Sequence, residues 1–532
     1  MPYIVGEDRH QIYLLPNTLD DFVNEENPVR VIDAYIDSLN LEELGFQVYS
    51  GIKAGQKPYR REDLLKLYLY CYMNGIRSSR KMETETKRNI ELMWLINKLQ
   101  PDHGTLSAFM KNSKTAIKNL FKEFTLMLKG FGLIDGQLVA IDGTKLKANS
   151  SKKQHFNANI ISKKLEHIDE KIDSYLHDFL TEDNLQKKQE ITERLESYQE
   201  RIHELQVFKQ ELKETGEKQL CVTDPDAKSM KNNGKHEVCF NVQTTVDSKY
   251  KLIVDCDTVN DVNDQGQLSN MVKETKKIFH DQKTTVLADT GYYNYLEIID
   301  VVDESTELLI KSQKGKQNKL ASGFDRTNFS YDTINDRYIC PLGYELPFKW
   351  NGKQKGKEYR RYTCTNFDTC GQKESCTSAK GGRSITRLKD EEVIEQITEN
   401  TRSQSDIYKQ RGAIVEHPFG TMKRHWGYTY FLTRGLESVS TETNLICLAY
   451  NFKRIIKIKG VKKLIRHFRD RARRKFLCTR FIRVKLYKSR FKDCLNNQLL
   501  DRLTYGGVRG RGLIPPPTRF YLENYSKCDY WN

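Results

Sequence analysis

Apolar residues recur every three or four positions through roughly the first 135 residues, which predicts helices. Asn27 and Pro28 supply an N-cap and a first helical residue for "VRVIDAYIDSL". "REDLLKLYLYCYMNG" (61–75) reads as an amphipathic helix closed by Gly75, and two further helical stretches follow at about 78–99 and 105–129. The period then changes, and "QLVAIDGTKLKA" (137–148) is strand-like and ends in turn chemistry. Next, Ile161, Leu165, Ile168, Ile172, Tyr175 and Phe179 step by three and four. After "TEDN" (181–184), Ile191, Leu195, Tyr198, Ile202, Leu205 and Leu212 largely repeat the stepping, which predicts an antiparallel helical hairpin with a coiled-coil seam. Strands return at "KHEVCFNVQTTVD" (235–247) and "KLIVDCDTVN" (251–260). A helix at about 264–280, the strand "TTVLAD" (284–289), a short helix and "TELLIK" (306–311) come next. Residues 320–385 are polar and Gly-rich and hold a cysteine cluster; helices dominate 405–458, and a basic tail completes the sequence.

With the hairpin and the cysteine-bearing segment set aside, the order is three strands, then helix, strand, helix, strand, helix. The early strand-to-strand steps are short enough for antiparallel pairing, and the later ones cross over through helices and should be parallel. That is the order of an RNase H-like α/β fold with a mixed sheet. The expected organisation is an all-helical N-terminal DNA-binding domain (1–135), an RNase H-like catalytic domain (136–458) with a helical hairpin insertion (160–215) and a cysteine-containing insertion (315–390), and a basic tail (459–532).

Charge sharpens the picture. The 532 residues carry a net +16, and the stretch 453–492 alone holds 18 Lys or Arg against the single acid Asp470. The rest of the sequence is close to neutral, so a polyanionic partner is expected at that segment. Basic residues on the N-terminal helices (Arg77, Arg80, Lys81, Lys87, Arg88) suit either a helix-turn-helix DNA reader or an ordinary bundle with solvated charges. The opening "MPYIVGEDRHQIYLL" has charges where a signal peptide needs an apolar core, and no apolar run approaches the roughly 20 residues of a membrane helix. Twelve cysteines, scattered apart from one cluster, fit a reduced cytoplasmic protein.

Three acids stand out in this order. Asp142 lies at the end of the first strand ("VAIDGTK"), Asp289 ends the fourth ("VLADTGYY"), and Glu416 sits in the helical region after the fifth. The first and fourth strands of such a sheet are neighbours, so Asp142 and Asp289 should project together, with Glu416 approaching from a covering helix. Clustered carboxylates repel unless cations join them, and Mg²⁺ suits hard oxygen ligands. Two such ions stabilise the attacking and leaving oxygens of a phosphodiester displacement. The plainer reading makes Asp142 (before Gly) and Asp289 (before Thr-Gly) turn residues.

These residues sit in motifs that resemble the DDE transposases of bacterial insertion sequences. The motifs are "QPDHGTLSAFMK" (100–111), "AIDGTKLKANSSK" (140–152), "TDPDAKSMK" (223–231), "FNVQTTVD" (240–247), "VLADTGYYN" (286–294) and "YKQRGAIVEHPFGTMKRHWGY" (408–428). The resemblance implies a metal-binding triad of Asp142, Asp289 and Glu416 holding Mg²⁺ (or Mn²⁺). Tyr408, Arg411 and Lys423 look like the family's accompanying Tyr-Arg-Glu-Lys signature, with the Arg-to-Glu gap one residue longer than its commonest form. A kink or new helix start is expected at Pro418, aiming Glu416 inward. The implied chemistry is water attack at transposon ends, then attack of the freed 3′-OH on target DNA. The implied partners are double-stranded DNA, both inverted repeats and target, and further copies of the chain, in a nucleoid-associated cytoplasmic setting with no membrane.

Cys340, Cys364, Cys370 and Cys376 suit either a tetrahedral zinc site or free thiols in a small β-rich insertion; no pair has the close spacing usual in zinc knuckles. The tail interleaves aromatic and aliphatic residues with cations, and DNA is the partner expected there, with an amphipathic membrane-surface helix as the rival. Expected DNA contacts are Tyr408, Arg411, Lys423, Arg424, Lys462, Lys463, Arg473 and Arg474. Two other functional classes remain open on sequence: a non-catalytic DNA-binding protein derived from a transposase, and an RNase H-like nuclease without strand transfer.

Overall fold

The computed structural model describes residues 17–47, 57–280, 282–312, 323–354 and 356–474, and the chain divides into two compact units, Met1–Arg466 and His467–Asn532. The first unit opens with six helices: α1 (Pro28–Asp37), α2 (Arg61–Met73), α3 (Ser79–Arg88), α4 (Ile90–Leu95), α5 (His103–Asn112) and α6 (Lys114–Gly130). Asn27 caps α1 by accepting from the Val29 amide, with Pro28 at the start of the helix. The two long helical stretches expected at 78–99 and 105–129 are each divided. Asn89 divides the first by accepting the amides of Glu91 and Leu92 at the start of α4, and the second is interrupted at Ser113, between α5 and α6. Nor is α2 amphipathic: Asp63 to Met73 are all buried, because α1, α4 and a late helix each pack on it.

The central sheet explains how residues distant in sequence meet. Strand β1 (Leu138–Lys147) leads into a two-residue pair, β2 (His155–Phe156) with β3 (Leu220–Cys221). That pair closes the base of a hairpin of α7 (Ala158–Thr181) and α8 (Leu185–Thr215). Phe156, Ile161, Ile168, Leu205 and Leu212 form the hairpin's core, and the rings of Tyr175 and Tyr198 lie 5.8 Å apart. The chain returns through β4 (Lys228–Asn232), β5 (Lys235–Asp247), β6 (Ile253–Val259), α9 (Leu268–Phe279), β7 (Thr284–Ala288), α10 (Tyr295–Val301) and β8 (Thr306–Ile310). Side by side the strands run β6, β5, β1, β7, β8, with β4 paired to the early part of β5. The β1–β5 and β5–β6 pairs are antiparallel; β1–β7 and β7–β8 are parallel. This is the RNase H-like arrangement expected from the strand order.

A separate antiparallel sheet is inserted after β8: β9 (Ser330–Asp332), β10 (Arg337–Ile339), β11 (Glu345–Gln354), β12 (Lys357–Thr363) and, beyond the single turn α11 (Lys373–Cys376), β13 (Ser384–Leu388). Phe329, Tyr338, Leu346, Tyr362 and Ile385 form its own core. Then come α12 (Glu391–Ser403), α13 (Ser405–Gly420) and α14 (Leu436–Lys459). Helix α14 is buried along most of its length and packs on α2, α6 and β6, joining the N-terminal helices to the sheet. Asn451 on α14 accepts the Ile253 amide at 2.9 Å and donates to the Ile253 carbonyl at 2.7 Å. Among the described residues no helix is long and apolar enough to cross a membrane.

Candidate active site

The β1–β7 register pairs Ile141 with Ala288, so the next residues, Asp142 and Asp289, emerge side by side. The Gly143 amide donates to Asp142 Oδ1 at 2.9 Å. Burial pushes the Asp142 carboxyl up to about 6; Arg411 and the Gly143 amide pull the other way, while Asp289 and Asp264 add repulsion.

Arg411, on α13, answers that repulsion. Its Nη1 lies 3.3 Å from Asp142 Oδ2 and its Nη2 3.3 Å from Asp289 Oδ1, so one guanidinium bridges both acids. Three residues earlier on the helix, the Tyr408 hydroxyl donates to the Ala288 carbonyl at 3.3 Å and pins α13 to the end of β7. Tyr408 and Arg411 therefore hold the protein's own elements together, although the sequence suggested DNA contacts for both.

Glu416 does not join the pair in this structure. It is exposed and folds back along α13, with Oε1 3.6 Å from where a methyl on Gly412 would stand. Helix geometry gives the reason. Five residues separate Arg411 from Glu416, which turns the acid about 140° from the arginine, whereas a gap of four would leave it about 40° away. Nor does the helix break at Pro418: α13 continues to Gly420, and the next residues, Thr421–His425, form a π-helical turn. There the Trp426 amide bonds to the Thr421 carbonyl at 3.1 Å, five residues back. Among the described residues, no three His, Cys, Asp or Glu are arranged to hold a metal ion. The donor set for a hard cation is thus two adjacent carboxylates with an arginine between them.

A buried network behind the acids was not singled out from the sequence. Asp264, in the loop after β6, accepts from Asn241 Nδ2 at 2.8 Å and Gln243 Nε2 at 2.9 Å. The Tyr292 hydroxyl, just past Asp289, donates to Gln243 Oε1. All of this crowds Gly143: a Cβ there would come within 2.6 Å of both Asp264 Oδ1 and Gln243 Nε2. The glycine after Asp142 is therefore required by close packing, and turn chemistry does not account for it. Asn241, Gln243 and Tyr292 lie inside quoted motifs, but nothing in their spacing signals the contact.

The expected DNA-contacting cations separate into different environments. Lys423 donates to the Lys145 carbonyl at 3.2 Å, and burial lowers its pKa. Arg424 and Lys463 are exposed, and Lys462 pairs with Glu26 at 3.1 Å. Arg473 and Arg474 are exposed in the second unit, and the sequence beyond 474 lies outside the described residues. Part of the basic run is structural: Lys453 donates to the Met73 carbonyl and Arg454 to that of Tyr250. Arg77 is buried too, so it does not belong to an exposed DNA-reading face. Lys87 and Arg88 pair with Glu83 and Glu85 on their own helix.

Cys340, Cys364, Cys370 and Cys376 line one small, largely apolar cavity with Phe324 and Phe329. The Tyr344 amide donates to Cys340 Sγ at 3.3 Å, and burial raises the thiols of Cys364 and Cys376. The four sulfurs gather but are not drawn into a ligating arrangement.

Comparison with known proteins bears on the class. Residues 339–456 match a family model described as a transposase DDE domain, and residues 17–112 match one described as a transposase domain (DUF772). Together the matches indicate a DDE-type transposase of the insertion-sequence kind. A solved piggyBac transposase synaptic complex with hairpin DNA is similar at a TM-score of 0.31 and 10% identity, over 85% of this chain and 82% of that one. No curated protein matches.

Proposed function

We propose that the chain is a DNA transposase that cleaves transposon ends and joins them to target DNA, using Asp142, Asp289 and Glu416 with Mg²⁺ or Mn²⁺. The observation that carries this reading is the pair of carboxylates, Asp142 midway along β1 and Asp289 just past β7, set side by side on the central sheet and bridged by Arg411. Two such oxygen donors suit a hard divalent ion, which when bound supplies charge stabilisation for phosphoryl transfer.

The chain's own residues do the rest. Arg411 holds the two acids at fixed separation, so they are poised before any ligand arrives. When the guanidinium turns outward it frees both carboxylates and carries its positive charge towards a phosphate. Because the helix turns Glu416 about 140° from Arg411, its approach to the pair takes a rotation or local unwinding of α13 as well as release from Gly412. Lys423, held over β1 at Lys145, supplies a second cation next to the scissile region. The exposed Arg424 and Lys463, with Arg473 and Arg474 in the second unit, add sequence-independent affinity for the duplex. Two ends handled together call for an oligomer, and DNA binding places the protein on the nucleoid. Cys340, Cys364, Cys370 and Cys376, which share one cavity, would hold a zinc ion in the inserted sheet, apart from the DNA reaction.

The test is incubation of the purified chain with Mg²⁺ and a DNA carrying the terminal repeats that flank its gene. The expected products are nicked ends and joined strands. Retarded but intact DNA would make the protein a non-catalytic binder, and nicks without joined products would make it a nuclease.

A further inference from the structure

Strand β1 does not stop at the acids. Five residues past Asp142, about 16 Å along the strand, it reaches Lys147 at the rim of an open cleft of about 1040 Å³. Cations dominate the cleft's charge. Lys147 is neutralised by Glu237 at 2.6 Å. Lys152, Lys235 and Arg434 are all exposed and form no salt bridge within the described residues, although Arg434 Nε donates to the Asn149 carbonyl at 3.0 Å.

One aromatic ring opens into this cationic cleft. Tyr430 is 47% exposed, unusual for a tyrosine whose backbone is locked on both sides. The Lys147 amide bonds to Thr429 and the Phe431 amide bonds back to Lys147, tying the segment to β1 as a short parallel bridge. The Arg77 guanidinium lies 4.9 Å from the Tyr430 ring centre. Arg77 is itself held by buried Glu442 at 3.0 Å, so the ring is fixed by its backbone and by a cation stacked on it. A rigid, exposed aromatic ring among unpaired cations is the combination that binds single-stranded nucleic acid: bases stack on the ring and phosphates meet the cations. A duplex keeps its base faces stacked inside and has none to offer Tyr430.

We propose that this cleft takes an unpaired stretch of DNA strand, with one base stacked on Tyr430 and its phosphates on Lys152, Lys235 and Arg434. The inference rests on the reading of the protein as a DNA transposase and adds a site for a frayed or displaced strand beside the acids.

The test measures binding of the full chain to a fluorescently labelled 12-nucleotide oligo-dT and to a 12-base-pair duplex, by anisotropy in EDTA, so cleavage plays no part. Tyr430→Ala should bind the single strand about tenfold more weakly, the loss expected for one stacked base, and the duplex unchanged. Tyr430→Phe keeps the ring and should stay within twofold of the parent. Lys235→Ala with Arg434→Ala, both on exposed side chains, should make the single-strand salt dependence shallower by roughly 1.4 log units per log salt. The proposal is overturned if Tyr430→Ala binds the single strand within twofold of the parent, or loses single strand and duplex equally. An unchanged salt slope in the charge variant also overturns it. Failure of metal-dependent cleavage would leave these binding differences in place, so the two readings fail separately.

Discussion

Asp142→Asn is expected to lower Mg²⁺-dependent end cleavage by at least about a thousandfold while leaving DNA binding within twofold of the parent. The amide keeps the size of the side chain but removes the charge that a divalent ion needs, and charge stabilisation of this kind is commonly worth such factors. The same variant should be at least as stable as the parent at neutral pH, which separates lost chemistry from lost fold. Burial lifts the Asp142 pKa from 3.8 to about 6 in the folded chain. Between those values the folded state holds more proton than the unfolded one, so stability falls as pH rises through that window. Above about pH 6 the whole cost of the buried charge is present, up to ~3 kcal/mol. Asparagine removes it. Thermal melts at pH 8 should therefore place Asp142→Asn level with or above the parent, and the difference should shrink by pH 4. Full cleavage activity in the variant would remove Asp142 from the reaction. A marked loss of stability at pH 8 would show that its carboxylate is structural.

The largest effect on stability is expected at Arg77. Its side chain is 6% exposed and pairs with Glu442, which is fully buried. The guanidinium also stands 4.5 Å from the Tyr428 ring centre and bonds to the Tyr430 carbonyl. Glu442 accepts in addition from the Leu432 and Thr433 amides and the Thr433 hydroxyl, so this one pair ties α14, the turn before it and the N-terminal helices together. Arg77→Ala leaves a buried carboxylate without its counter-charge, at a cost of about 3–5 kcal/mol. The variant should melt several degrees lower. Adding Glu442→Gln should recover part of that loss, because the orphaned charge goes with it. If Arg77→Ala melts within a degree of the parent, the pair contributes nothing to the join.

How much of this was legible in the sequence depended on whether a feature was local. Strand order follows from period changes and turn chemistry, so the RNase H-like sheet and the neighbouring places of Asp142 and Asp289 could be read directly. The seam of α7 and α8 was legible for the same reason. Burial all round α2 was not, because it is imposed by α14 from nearly 400 residues later in the sequence. Arg77 looked like one of several surface cations for the same reason, since its partner Glu442 lies on that distant helix. The bridge from Arg411 to both acids and the Asp264–Gln243–Tyr292 network depend on tertiary contacts that no spacing rule contains. Glu416 shows the limit most clearly. Its motif singled it out, but the extra residue after Arg411, on an α-helix that runs unbroken through Pro418, set its direction.

The most direct test of the central claim is the anomalous scattering of Mn²⁺ in crystals of the chain bound to an end-bearing DNA. The account predicts a peak within coordination distance of both the Asp142 and Asp289 carboxylates, with Arg411 withdrawn from between them and Glu416 brought in by a shift of α13. A fully bound DNA end with Arg411 still bridging the two acids, and no Mn²⁺ peak beside them, would contradict it.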